Sequence, residues 1–196
     1  YASWSFLKAA KFFDVQTWTG DGTTGRQISH NLAGEVGTLI IKKTSATGSW
    51  IVYHRSLGTS KYMALQSTSQ ALNFSAVNTV TSTYFVSDNQ NASGATYVAY
   101  LFAHNDGDGE FGPDSDQDII KCGSYTGTGG VHDVNLGFEP QWVLFKRADS
   151  GDGWYILDIM RGFVDGTTGD KTLVANDTNI EQDLNSNWFG SQGPSL

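Results

Sequence analysis

Residues 38–43 read Thr-Leu-Ile-Ile-Lys-Lys, and they are followed by Ser-Ala-Thr-Gly at 45–48 and Ser-Trp-Ile-Val-Tyr-His at 49–54. The first segment is an apolar, β-branched run that ends in charged residues, a composition typical of a buried strand. The small residues that follow suit a tight turn, because glycine readily adopts positive φ. Together the three segments predict a β-hairpin.

The same hairpin pattern occurs a second time downstream. Residues 142–145 and 154–157 are apolar and aromatic, Lys146 ends the first of these runs, and residues 150–153 between them read Ser-Gly-Asp-Gly. A constant offset with matching residue types predicts an internal repeat. Four residues recur 104 positions later, with Leu32, Glu35, Lys42 and Trp50 corresponding to Leu136, Glu139, Lys146 and Trp154.

The repeat also predicts where its units begin and end. Residues 1–6, Tyr-Ala-Ser-Trp-Ser-Phe, share the aromatic pattern of residues 97–102, Tyr-Val-Ala-Tyr-Leu-Phe. We therefore expect residues 1–6 to be the closing strand of a preceding unit, and residues 7–104 to form one complete β-sandwich repeat. Residues 105–118 are expected to be an acidic linker, and residues 119–196 a second, incomplete repeat.

The composition favours an all-β fold. The 196 residues include 23 glycines, and 13% are aromatic, which suits many short strands joined by tight turns. No window carries the apolar stripe of an amphipathic helix, and a parallel sheet would need crossover helices. We expect tandem antiparallel β-sandwich units that resemble a jelly roll.

Charge and cysteine content exclude several classes of protein. The net charge is −8, with +3 in residues 1–104 and −11 in residues 105–196. An acidic surface repels phosphate, so no nucleic acid is expected as a partner. No apolar run is long enough to predict membrane insertion. Cys122 is the single cysteine, so there is no disulfide framework, and we expect it to be a small buried residue rather than a reactive thiol.

Several sequence strings resemble a known group of proteins. They include Phe-Phe-Asp-Val at 12–15, Ser-His-Asn-Leu at 29–32, Leu-Ile-Ile-Lys-Lys at 39–43, Cys-Gly-Ser-Tyr-Thr-Gly at 122–127 and Gly-Phe-Glu-Pro-Gln-Trp at 137–142. The chain resembles the tandem-repeat tail and tail-fibre proteins of marine bacteriophages over nearly its whole length. The resemblance implies a structural virion protein at the host-contacting end, a homotrimer that contacts other virion proteins, and a location in the virion. It implies no catalytic or binding residue.

The acidic segment is a candidate calcium site. Its carboxylates include Asp106, Asp108, Glu110, Asp114 and Asp116, and calcium prefers about six to eight oxygen ligands. The segment departs from an EF-hand loop counted from Asp106, since Phe111 stands at position six and Gln117 at position twelve. The alternative is a solvated spacer whose like charges repel one another.

The aromatic residues of the two hairpins are candidates for binding a host surface glycan. They are Trp50, Tyr53, Trp154 and Tyr155. Successive strand residues point to opposite faces, so Trp50 and Tyr53 should lie on opposite sides of one strand. The alternative is that the matched tryptophans Trp50 and Trp154 are packing anchors of the two units.

The sequence does not predict an enzyme. The carboxylates of residues 1–104 form no obvious facing pair of the kind that glycosidases use, and no nucleophile elbow is present. The four histidines have no metal-ligand spacing. The expected function is a structural, tail-fibre-like virion protein that supports host attachment. The alternatives are a carbohydrate-binding module or adhesin of a bacterial surface protein, and a depolymerase of host polysaccharide.

Overall fold

The computed structural model describes residues 3–130, 132–161 and 170–184. The chain divides into two compact units. Unit 1 comprises Tyr1–Ala64 and Ala71–Gly123, and unit 2 comprises Leu65–Gln70 and Ser124–Leu196. All strand pairing in the described residues is antiparallel and these residues contain no α-helix, so the predicted all-β class is confirmed.

From residue 3 onward, unit 1 contains nine strands arranged in two sheets. The strands are β1 (Phe13–Thr19), β2 (Gln27–Ser29), β3 (Glu35–Lys43), β4 (Trp50–His54), β5 (Lys61–Ala64), β6 (Leu72–Asn73), β7 (Thr79–Val80), β8 (Tyr84–Val86) and β9 (Thr96–His104). The larger sheet has the order β1-β9-β3-β4-β5-β6, and the smaller has the order β2-β8-β7. The last strand, β9, therefore lies between β1 and β3 in the larger sheet.

The core of unit 1 is formed by both sheets. Leu39 and Ile41 of β3 and Leu101 of β9 are fully buried, and they belong to the same apolar cluster as Ile28 of β2 and Phe85 of β8. Along β9, buried residues alternate with half-buried ones from Tyr97 to Phe102, as the two-residue period of a strand requires. Apolar burial on this scale is the main favourable contribution to folding.

The described residues of unit 2 form a four-stranded antiparallel sheet. Its strands are β10 (Trp142–Lys146), β11 (Trp154–Asp158), β12 (Asp170–Val174) and β13 (Gln182–Leu184), in the order β10-β11-β12-β13. Leu157 and Thr172 are fully buried, and the Thr172 hydroxyl donates a hydrogen bond to the Ile156 carbonyl at 3.1 Å.

The sheet of unit 2 repeats part of the larger sheet of unit 1, in strand register as well as in sequence. Lys42 lies opposite Trp50 in the β3–β4 hairpin, and Lys146 lies opposite Trp154 in the β10–β11 hairpin. A short 3-10 turn follows each hairpin, at Arg55–Leu57 and at Ile159–Arg161, still 104 positions apart. The next pairing repeats at an offset of 110, with Lys61 opposite Asn73 and Lys171 opposite Asp183. Unit 2 thus repeats the β3-β4-β5-β6 meander with six more residues between its second and third strands.

The acidic segment 105–118 was predicted to be a solvated linker, but it is folded onto unit 1. Asn105 is buried and its side-chain amide donates to the Lys11 carbonyl at 2.9 Å. Both Asp118 oxygens accept backbone hydrogen bonds, from Gly107 at 2.7 Å and Gly109 at 2.8 Å. Lysines outside the segment form ion pairs with its carboxylates and neutralise part of its charge. Repulsion among the remaining carboxylates therefore does not extend the segment. Residues 119–123, predicted to start the second repeat, also belong to unit 1.

The segment before β1 forms no strand in its described part. Residues 3–6 lie outside every sheet, and the Phe6 ring lies 5.6 Å from that of Phe13 and 5.7 Å from that of Phe102. Residues 1 and 2 of the predicted closing strand lie outside the described residues. That residues 1–6 close a preceding unit stays a prediction.

Candidate functional site on the outer sheet face

The larger sheet of unit 1 has a second face, opposite the core, which we call the outer sheet face. One row across it consists of Thr17, Val98, Lys42 and Trp50, which are cross-strand neighbours on β1, β9, β3 and β4. Tyr53 belongs to the core, and Trp50 lies three positions before it on the same strand. An odd separation along a strand puts two side chains on opposite faces, so Trp50 points outward.

Trp50 is held on this face by two neighbours. Its ring stacks with that of Tyr100, with centroids 6.4 Å apart and an interplanar angle of 23°. The ammonium group of Lys42 lies 5.4 Å from the centre of the Trp50 ring, which is a cation–π distance. The same ammonium donates a hydrogen bond to the Gly48 carbonyl in the hairpin turn, so its position is set by the turn. Trp50 remains half-buried.

A groove of about 420 Å³ lies in the same region of the sheet. Four threonines line most of it: Thr17 and Thr19 of β1, Thr44 just after β3, and Thr96 of β9. Val98 and the core residues Trp18 and Tyr97 line the rest. The hydroxyl oxygens of Thr44 and Thr96 lie 2.6 Å apart. Hydroxyls that both donate and accept hydrogen bonds, on the same sheet face as the half-buried indole of Trp50, provide the chemistry needed to hold an amphipathic ligand such as a sugar.

The structure does not bring the four predicted glycan residues together. Trp50 lies on the outer sheet face, but Tyr53 is 8% exposed and packs in the core of unit 1. Burial raises the pKa of the Tyr53 hydroxyl above its usual range. Trp154 is 4% exposed, and the half-buried Tyr155 stacks on Phe145 at 5.2 Å. The sequence prediction missed Tyr100 and the threonine groove, because strands that are distant in sequence, β1 and β9, provide most of them.

The predicted calcium ligands do not form a site. Asp106 pairs with Lys121 at 2.9 Å, and Glu110 pairs with Lys11 at 2.8 Å. Asp114 and Asp116 are exposed, and Asp108 accepts a hydrogen bond from the Asp106 amide through its side chain. Within residues 3–130, 132–161 and 170–184, no three acidic, histidine or cysteine side chains are arranged to hold a metal ion.

The larger sheet also brings together titratable residues that the sequence left scattered. The Arg55 guanidinium contacts both Glu35 carboxylate oxygens, at 2.7 and 3.1 Å. Glu35 lies opposite His104 in register, and His104 Nδ1 accepts a hydrogen bond from the Cys122 amide at 3.1 Å. Burial, and to a lesser extent the positive charge of Arg55, lowers the pKa of His54 to about 4.

This cluster lacks the properties of a nucleophilic site. Burial lowers the pKa of His104 and raises that of the Cys122 thiol, so the ring stays neutral and the thiol stays protonated near neutral pH. Reactive cysteines instead have a lowered pKa and an electropositive, accessible surrounding. Cys122, expected to be a small buried residue, is half-buried, and its Sγ lies 3.5 Å from the Ala103 carbonyl oxygen.

Among the described residues, no helix has the length and apolar character needed to cross a membrane. Neither the curated proteins nor the solved structures contain a match to this chain. A family model does match it, over residues 7–193, and its description is a domain of unknown function, DUF7483. The match covers unit 1 and unit 2 in one stretch, and the chain therefore belongs to the DUF7483 domain family.

Proposed function

We propose that this chain is part of a structural virion protein of a bacteriophage, resembling a tail fibre, that supports attachment to the host surface. The observation that carries the proposal is the repeat of one meander in the same register, with Lys42 opposite Trp50 and Lys146 opposite Trp154. A protein built from repeated units can be lengthened by addition, because each unit has its own core. That property suits a fibre more than it suits a catalyst.

The proposed architecture is a tandem array of jelly-roll-like β-sandwiches. The shared core of the two sheets in unit 1 supports this plan for the first unit. The register match supports the same plan for unit 2. We further propose that the protein forms homotrimers, contacts other virion proteins, and acts without catalysis, nucleic acid or membrane insertion.

Purified virions test this proposal directly. Particles of the phage that encodes the sequence would be banded on a density gradient, analysed by mass spectrometry, and labelled with an antibody to unit 1 for electron microscopy. We expect peptides of the chain in the particle band and label at the tail. Its absence from intact particles, with its presence in the infected cell lysate, would contradict a virion role.

Carbohydrate binding is the second function that we propose, either within a fibre or in a bacterial adhesin. The specific observation is the outer sheet face, where a threonine-lined groove shares its row with Trp50. A glycan array tests it with Trp50→Ala, and with Phe74→Ala as the control, since Phe74 is 52% exposed and does not line the groove. Saturable binding that only Trp50→Ala removes, with both variants folded, supports this function. Absence of binding across the array contradicts it.

The depolymerase alternative is tested by the release of reducing ends from capsular polysaccharide and lipopolysaccharide. We expect no release, since no described group of residues shows an activated nucleophile. Release that survives purification to homogeneity would revive the enzymatic alternative and displace the structural proposal.

A further inference from the structure

A short segment of unit 1 lies against the end of β9 and leads into unit 2 in the sequence. It comprises residues 119–123, which we call the strap, and it lies in no strand. The strap belongs to unit 1, whereas Ser124, the next residue, belongs to unit 2. It is held by His104, the last residue of β9, and by Asn105, which follows it. These two residues hold it by hydrogen bonds that differ in their response to pH.

The first half of the strap is held by a side chain that does not titrate. The Asn105 amide donates to the Ile120 carbonyl at 2.9 Å, and the Asn105 side-chain oxygen accepts the amides of Ile119 and Ile120 at 3.3 and 3.4 Å. Asn105 is 1% exposed, and Ile120 packs against the apolar core of unit 1. Because a carboxamide keeps its acceptor oxygen in mild acid, this half of the strap should stay in place there.

The second half of the strap depends on a histidine in its unprotonated form. The Cys122 amide donates to His104 Nδ1 at 3.1 Å, which requires a lone pair on that nitrogen. The side chain of Cys122 lies against Gly37, at the register shift of β3, where a Cβ on the glycine would lie 2.6 Å from it. Protonation places a hydrogen on Nδ1, so the ring changes from an acceptor to a donor and loses the Cys122 amide.

The surroundings of His104 keep its ring neutral near neutral pH. His104 is 5% exposed, and burial lowers its pKa below the usual value of about 6.5. The positive charge of Arg55 lowers this pKa further, and Lys121 acts in the same direction. The negative charges of Glu35 and Asp106 oppose the shift. The titratable and charged groups that face His104 are Glu35 of β3, His54 of β4, Arg55 in the turn after it, Asp106 of the acidic segment, and Lys121 and Cys122 of the strap.

We propose that residues 121–123 are an acid-sensitive latch, which protonation of His104 releases from unit 1 while Asn105 keeps Ile119 and Ile120 in place. The imidazolium then repels Lys121 and attracts Asp106, and both changes weaken the Lys121–Asp106 ion pair at 2.9 Å. Three extended residues span about 10 Å, so release frees about that length of chain before Ser124. The inference does not rest on the proposed function.

The direction of the pH response follows from the lowered pKa of His104. The neutral ring is favoured in the latched state, so its contribution is fully present above about pH 6.5 and is lost as the pH falls through the pKa of the folded chain. Asp106 does not titrate in this range, because its ion pair with Lys121 lowers the pKa of its carboxyl further below neutral pH. Mild acid therefore acts on the latch through the histidine.

Amide hydrogen exchange of the full chain, followed by NMR with a chelator present, tests the latch. Rates are divided by those of an unstructured chain at the same pH, which removes the direct effect of pH on exchange. Between about pH 7 and about pH 4.5 we expect the protection of the Cys122 amide to fall about tenfold, with the midpoint of the His104 ring titration. The Asn105 amide, bonded to Ile120, is the internal control and should change less than about twofold.

Two variants assign the response to one histidine. His104→Gln keeps a side-chain oxygen that accepts a hydrogen bond and does not titrate, so the protection of the Cys122 amide should no longer depend on pH. His54→Asn is the matched control, because it removes the neighbouring titratable ring and leaves the His104–Cys122 bond in place. The loss of protection in acid should persist in that variant.

Several results would overturn the inference. The first needs no variant: protection of the Cys122 amide that stays constant while the His104 ring titrates. An equal loss at the Asn105 amide would mean that unit 1 opens as a whole rather than at the latch. A loss that persists in the folded His104→Gln chain, or one that His54→Asn removes, would assign the response to a group other than His104.

Discussion

Lys42 lies directly across from Trp50 on the neighbouring strand, with its ammonium 5.4 Å from the centre of the indole ring. The same two residue types face each other again as Lys146 and Trp154. Their surroundings differ, because Trp50 is half-buried on the outer sheet face whereas Trp154 is 4% exposed. The repeat therefore preserves the pairing of the hairpin while its burial changes from one unit to the other.

The Lys42–Trp50 contact should contribute measurably to the stability of unit 1. A double-mutant cycle with Lys42→Met and Trp50→Leu is expected to give a coupling free energy of about 0.5–1 kcal/mol in urea unfolding. The neighbouring Lys43→Met, paired with Trp50→Leu, serves as the control and should couple by less. A coupling of zero for Lys42 would mean that the contact is not stabilising.

Gly37 should not tolerate a side chain. A Cβ at this position would lie 2.6 Å from the side chain of Cys122 and 2.9 Å from the Ala103 carbonyl oxygen. We expect Gly37→Ala to lower the free energy of unfolding by about 1–3 kcal/mol, and Cys122→Gly to restore only part of it because the carbonyl remains. Gly48→Ala is the matched control, since its nearest neighbour is 4.0 Å away. Equal urea midpoints for the two alanine variants would contradict this packing.

Asp14 should make unit 1 sensitive to acid. Burial alone would raise the pKa of this carboxyl, but hydrogen bonds from Lys8, Asn31, Gln16 and Val15 outweigh it and lower the pKa to about 2. The folded pKa is below the unfolded value of about 3.9, so its contribution is present above that pH and is lost as pH falls toward about 2. We expect Asp14→Asn to remove about 2 kcal/mol at neutral pH and to flatten the stability profile below about pH 4. Asp114→Asn, at an exposed site, should do neither.

His54 should make the free energy of unfolding depend on pH in a milder range than Asp14 does. Its pKa of about 4 in the folded chain lies below the usual value of about 6.5, so the unfolded chain takes up the proton first as pH falls. The contribution of neutral His54 is therefore present above about pH 6.5 and is lost between there and pH 4. We expect His54→Asn, which keeps an acceptor for the Ser56 amide, to reduce the slope of unfolding free energy against pH in this window. His132→Asn, at an exposed position, should leave the slope unchanged.

The acidic segment should be ordered by Asp118 rather than by calcium. Asp118→Ala removes the acceptor for the Gly107 and Gly109 amides, so these amides should exchange with deuterium at least ten times faster. Asp116→Ala, at an exposed position, should leave exchange unchanged. Calcium or a chelator should shift neither the exchange rates nor the melting temperature. Protection of the segment that depends on calcium would instead support the ion site predicted from the sequence.

The parts of the fold that could be predicted are those governed by neighbouring residues. The apolar run at 38–43, the small-residue turn and the aromatic strand after it predict the β3–β4 hairpin, and the 104-residue offset predicts the second hairpin. The opposite faces of Trp50 and Tyr53 also follow from strand alternation, and the burial of Tyr53 agrees with it. The candidate site was predicted only through Trp50, because strand pairing brings Tyr100 and Thr96 of β9, and Thr17 and Thr19 of β1, to this face from distant parts of the sequence.

Local sequence patterns are sufficient to predict the all-β class, the paired hairpins and their repeat, because strand alternation and turn chemistry act over a few residues. The folded structure is needed to show that β9 lies between β1 and β3, that Lys11 and Lys121 hold the acidic segment, and that Trp154 is buried where Trp50 is not. These features depend on contacts between residues far apart in the chain. Such contacts form only when a strand pairing or a packed core brings their partners together, and no local pattern encodes which partners those are.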